Sequence, residues 1–108
     1  MEIIDAAKNG DIIRVRELLD SGINPDIADD YGNTALIRAS REGHIDIVRL
    51  LLEHNANPNL QNRWGDTALI SATVNGSTET VRLLLERGAN PNIRGYMNDT
   101  ALMEARDR

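Results

Sequence analysis

Residues 29–61 read DDYGNTALIRASREGHIDIVRLLLEHNANPNLQ, and residues 62–94 read NRWGDTALISATVNGSTETVRLLLERGANPNIR. Sliding the first stretch by 33 residues places Thr34 on Thr67, Leu36 on Leu69, Gly43 on Gly76, Val48 on Val81, Leu51-Leu52 on Leu84-Leu85 and Pro58 on Pro91. The same step backwards reaches Ala6, Gly10, Val15, Leu18-Leu19 and Pro25, and forwards it reaches Thr100, Leu102 and Ala105. Self-similarity at one fixed interval, held at this many positions, is the signature of a repeat architecture.

The pattern inside one unit dictates its local structure. Thr34 precedes the apolar run Ala35-Leu36-Ile37-Ala39, so its hydroxyl is placed to cap a helix by accepting from a free backbone N–H of the first turn. Gly43 ends that helix. Ile45, Ile47, Val48, Leu51 and Leu52 then recur at helical spacing and predict a second amphipathic helix. Asn55 stands where the sister units have Gly22 and Gly88, and Asn98 where they have Gly32 and Gly65. Asn tolerates a left-handed backbone best after Gly, so both positions are expected at positive φ. Pro58 and its Asn neighbours continue as an extended, turn-rich connection. Each unit is thus a hairpin-like turn followed by two antiparallel helices.

On these residues the chain resembles an ankyrin-repeat protein over all 108 residues. The family's Gly-x-Thr-Pro-Leu-His pattern stands here as Gly32-Asn33-Thr34-Ala35-Leu36-Ile37, Gly65-Asp66-Thr67-Ala68-Leu69-Ile70 and Asn98-Asp99-Thr100-Ala101-Leu102-Met103. Ala replaces Pro and Ile or Met replaces His in every copy; Ala is a good helix former at that position. The resemblance implies an all-α solenoid of helix-turn-helix units joined by β-hairpin-like loops. As one domain over 1–108 it divides into an N-terminal cap at about 1–28, full units at 29–61 and 62–94, and a partial C-terminal cap at 95–108, unless the array continues beyond either end.

Composition narrows the function classes. With 41% hydrophobic residues, 3% aromatic and no Phe, the core must be Leu, Ile, Val and Ala. The absence of Cys excludes disulfides, zinc-thiolate sites and thiol nucleophiles. A net charge of -5 argues against generic nucleic-acid or anionic-lipid binding, which needs a basic face. An acidic start and no long apolar run predict a protein that neither enters nor crosses a membrane, expected inside the cell, in cytoplasm or nucleus. His44 and His54 lie ten residues apart and make no two-ligand helix face; His44 is expected to be structural. No phosphate loop, nucleophile elbow or metal-spaced acidic cluster appears, so no catalytic, cofactor or metal residues are assigned. Arg16, Arg49 and Arg82 each precede an acid by four residues (Asp20, Glu53, Glu86), which predicts a weak charge ladder on a solvated outer face.

What remains is a recognition surface. The resemblance implies that a protein or peptide partner binds the concave side made by hairpin tips and the exposed side of each first helix. Mapped here, the candidate contacts are Tyr31, Asn33, Arg38 and Arg41 in the second unit, Arg63, Trp64, Asp66, Ser71, Val74 and Asn75 in the third, and Tyr96 and Met97 in the fourth. All three aromatics of the chain lie in the hairpin turns, and Tyr31, Trp64 and Met97 recur at 33, which predicts a row. Exposed Trp, Tyr and Arg are the residue types most often found as binding hot spots, although large residues there can also simply stiffen the array. The rival expectation is self-association of an otherwise monomeric chain through Leu102 and Met103. The resemblance further implies that Asn59 and Asn92 are candidate substrates of an asparaginyl hydroxylase.

Overall fold

A computed structural model of the chain describes residues 2–95. Among these it forms six helices: α1 (Glu2–Asn9), α2 (Ile12–Asp20), α3 (Ala35–Glu42), α4 (Ile45–Glu53), α5 (Ala68–Asn75) and α6 (Thr78–Glu86). The first helices of successive units, α1, α3 and α5, pack side by side in one row, and α2, α4 and α6 form a second row against them. The main helix contacts lie within a unit or between successive units, which describes a stack and not a closed bundle, with principal extents of 39 × 27 × 22 Å.

The caps are those expected from the sequence. Thr34 Oγ1 accepts from the Ile37 N–H at 3.2 Å, and Thr67 Oγ1 from the Ile70 N–H at the same distance, each satisfying one donor that the helix start leaves open. Asn55 sits at φ 64°, and Gly22 and Gly88 at its equivalent positions sit at 94°. The hairpin between α2 and α3 is minimal: its ladder is a single bridge from Ala28 to Thr34, and no strand forms among the described residues.

Burial follows the number of neighbours a helix has. α4, flanked by α2 and α6, buries Ile47, Val48, Leu50, Leu51 and Leu52. α2 buries Val15 and Leu19, and α6 buries Thr80 and Leu84. At one register Leu19 and Leu52 are 5% exposed and Leu85 is 44%, so among the described residues the open flank at this position is that of α6 and not that of α2. Each fully buried Leu or Val contributes roughly 1.5 to 3 kcal/mol, so the second unit is where the stack is held most firmly.

The expected charge ladder on the second helices is corrected by the structure. Arg49 turns back toward Asp46 at 3.4 Å and not forward to Glu53, and no pair joins Arg16 to Asp20 or Arg82 to Glu86 among the described residues. Basic-before-acidic spacing is the poorer order on a helix, and an acid in the first turn of α4 sits where the helix dipole favours it. Arg14 instead ties α2 to α1 through Glu2.

Candidate functional site

The hairpin tips are built by one device used twice. In the turn before α3, Asp29 Oδ1 accepts from the N–H groups of Tyr31 at 2.9 Å and Asn33 at 3.0 Å. In the turn before α5, Asn62 Oδ1 accepts from Trp64 and Asp66, both at 3.0 Å. A short side-chain carbonyl closing on backbone two residues ahead is an Asx turn, and here it holds the aromatic residue in place. The two tips are joined directly, because the Arg63 N–H donates to the Tyr31 carbonyl at 2.9 Å. Gly32 makes that approach possible. Its φ is 76°, and a Cβ there would lie 3.0 Å from Asn62 Cα.

The result is a stacked pair. The rings of Tyr31 and Trp64 lie 5.9 Å apart between centroids and 19° from parallel. Such pairs contribute about 0.5–1.5 kcal/mol beyond their buried area. The stack is nevertheless open, since Tyr31 stays 53% exposed and Trp64 54%. The rings thus pack on each other while their free sides face solvent, and Met97, the third residue of the expected row, lies outside the described residues.

The other candidates divide. Arg41, Arg63, Val74 and Asn75 are exposed, and Arg38 and Asp66 are half-buried. Two charged contacts are already used within the array: Arg41 bridges to Asp66 of the next hairpin at 3.2 Å, and Arg38 reaches Glu42 at 3.5 Å. Burial pushes the Asp66 carboxyl above the usual carboxylate range, with Arg41 opposing. Asn75 Nδ2 donates to the Arg41 carbonyl at 3.0 Å, a second tie between α3 and α5.

Two candidates expected on the exposed face are buried. Asn33 is 6% exposed because its Oδ1 accepts from Asn62 Nδ2 at 2.9 Å, inside the contact between the hairpins. Ser71 is 1% exposed: it occupies the register of Arg38, but a side chain this short does not reach out past its neighbours. Tyr96, Met97, Leu102 and Met103 lie outside the described residues. Asn62 was missed altogether, although its signal was present, since Asp29 and Asn62 share one register and each stands two residues before an aromatic.

The remaining singled-out residues serve the frame. His44 Nε2 lies 3.1 Å from the Lys8 carbonyl oxygen and links the first and second units. Asn59 has both ends of its amide engaged, Oδ1 by the Asn90 N–H at 2.8 Å and Nδ2 by the Gly88 carbonyl at 3.2 Å. Asp26 makes the equivalent bond to the Asn57 N–H at 2.8 Å, so these acids and amides act as staples between units. No group of three metal-ligating side chains gathers among the described residues, and no helix there is long and apolar enough to cross a membrane.

A row of helix pairs with joined, solvent-facing hairpin tips defines a helical repeat array. A family model described as ankyrin repeats (3 copies) matches residues 3–62 and 56–107, nearly the whole chain, and the protein belongs to the ankyrin-repeat family. Ankyrin repeats are generally protein–protein interaction modules and are typically non-catalytic. A search of curated proteins found no match to the chain.

Proposed function

We propose that this protein is a non-catalytic recognition module of the cell interior that holds a segment of a partner protein on the face formed by its hairpin tips and first helices. The observation that carries this reading is the Tyr31–Trp64 stack, held by backbone bonds on both sides and about half exposed. Rigid aromatic area presented without a large entropic cost is what anchors an interface. Arg41, Arg63, Val74 and Asn75 surround the anchor in the sequence register of the tips and first helices, and Tyr96 and Met97 extend the proposed row.

The chemistry of the partner follows from the charges. Arg41 is paired with Asp66 and Arg38 with Glu42, which leaves Arg63 beside Trp64 as a cation without an ion pair among the described residues, so a strongly charged partner would gain little beyond that one residue. The partner segment is therefore expected to present an apolar, aromatic or proline side chain to the stack. Selection of a random peptide library on the folded protein tests this. Enriched peptides should share such an anchor, lose affinity for Trp64→Ala at a temperature where that variant is still folded, and keep it for Arg49→Ala on the second-helix row. Equal binding to Trp64→Ala would move the site elsewhere, and lost stability without lost affinity would reduce Trp64 to a packing residue.

A further inference from the structure

The chain contains two Asn-Gly dyads at one and the same register, Asn9-Gly10 and Asn75-Gly76. Each Asn is the last residue of a first helix, and each Gly follows at positive φ, 78° for Gly10 and 84° for Gly76. The dyads and their backbone conformations are thus matched, while their flanks differ, Lys8 and Asp11 against Val74 and Ser77, and so do the contacts that hold them.

Asn-Gly is the dipeptide most open to intramolecular attack, because Gly offers no side chain to hinder the approach. The backbone nitrogen of Gly, after losing its proton, attacks Cγ of the Asn side chain; the C–N bond to the side-chain nitrogen breaks and ammonia leaves. The five-membered imide then takes up water at either carbonyl and opens to an aspartyl or an isoaspartyl residue. No oxidant, reductant or cofactor is needed. Both the amide that is attacked and the nitrogen that attacks must be free to move.

At Asn75 neither is free. Its Nδ2 donates to the Arg41 carbonyl at 3.0 Å, and its carboxamide lies against Gly43, where an added Cβ would come within 3.1 Å of Oδ1. The Gly76 N–H is held by the Ala72 carbonyl at 3.0 Å and the Thr73 carbonyl at 3.1 Å. At Asn9 the side chain is exposed and its carboxamide has no hydrogen-bond partner among the described residues. The Gly10 N–H reaches the Ala7 carbonyl at 3.4 Å, beyond the usual range for a good amide bond; Gly10 does pack on the His44 ring, where an added Cβ would come within 3.0 Å of Cε1, but that contact holds neither the Asn9 carboxamide nor the Gly10 N–H.

We propose that Asn9-Gly10 is a site of spontaneous imide formation and deamidation in the folded protein, and that the array holds the matched dyad Asn75-Gly76 inert. The product places a carboxylate at the C-terminal end of α1, where the helix dipole disfavours it, and the isoaspartyl form also lengthens the backbone next to the Lys8 carbonyl that His44 contacts. Ageing at this one residue therefore loosens the first unit from the second while leaving the tip stack untouched.

The test is to age the folded full chain in mildly alkaline buffer and follow both dyads by peptide mass spectrometry, with separation of aspartyl from isoaspartyl forms. Asn9 should convert at least about tenfold faster than Asn75, the protection expected where native contacts must open first. In denaturant the two rates should converge, which shows that the fold and not the flanking sequence sets the difference. Asn9→Gln should abolish the fast phase and keep the aged protein's melting temperature at its starting value. Equal rates in the folded protein, or faster conversion at Asn75, would overturn the proposal.

Discussion

The pair α3/α4 and the pair α5/α6 are written on one frame and meet the solvent differently. Their caps are identical in geometry, Thr34 and Thr67 each bonding at 3.2 Å, and their leucines keep one register. Yet α3 presents Arg38, Arg41 and Glu42 where α5 has Ser71, Val74 and Asn75, and Leu52 is 5% exposed where Leu85 is 44%. A repeated residue thus carries a repeated local role, while its energetic weight depends on which neighbour stands beside its unit.

Truncating the matched leucines should separate the two pairs most. Leu52→Ala should cost about 3 kcal/mol in chemical denaturation and Leu85→Ala about 1 kcal/mol, because only the first leaves a cavity between two helices. Equal costs would mean that the outer flank of α6 is covered as fully as that of α4. Gly32→Ala comes next, at about 1–3 kcal/mol, since a methyl group at φ 76° must also push against the Asn62 backbone. Its signature should include altered tryptophan emission as the two tips separate, which a mere loss of stability in the first unit would not give.

Caps test the part of the frame that the two pairs share. Thr34→Ala and Thr67→Ala should each cost about 1 kcal/mol, and unequal values would show that tertiary context reaches even the cap. The smallest effect concerns charge. Folding raises the Asp66 carboxyl, so its ionisation opposes folding: the group costs nothing below its unfolded value, and stability is lost as pH rises through the folded one. Arg41 limits that loss. Arg41→Gln should therefore destabilise by less than about 1 kcal/mol at neutral pH, and by still less as pH falls through the Asp66 titration. A cost that does not change with pH would show that the pair is not a working contact.

Much of this fold was legible because helix period, cap chemistry and the 33-residue interval all point to the same elements. Thr34, Gly43, Asn55 and the leucine ladder declare themselves through position alone. The tip stack was legible in outline, since Tyr31 and Trp64 share a register in a turn and their ring contact follows from stacking one unit on the next. What sequence periodicity does not carry is contact between unlike registers. Arg41 meets Asp66, but Val74 stands at Arg41's register in the next unit, so no repeated pattern announces the pair. Asn33 and Asn62 are polar turn residues whose burial arises only when two hairpins meet and their amides satisfy each other. Ser71 was misplaced for a similar reason, because register gives direction along a helix but not the reach of the side chain.

Trp64 is the single tryptophan of the chain, so its fluorescence reports on the tip stack alone. In the folded protein it should be readily quenched by acrylamide, and a peptide selected on the tips should shield it. Emission that resists quenching until the chain unfolds would place the ring inside the array and contradict a recognition face built on the Tyr31–Trp64 stack.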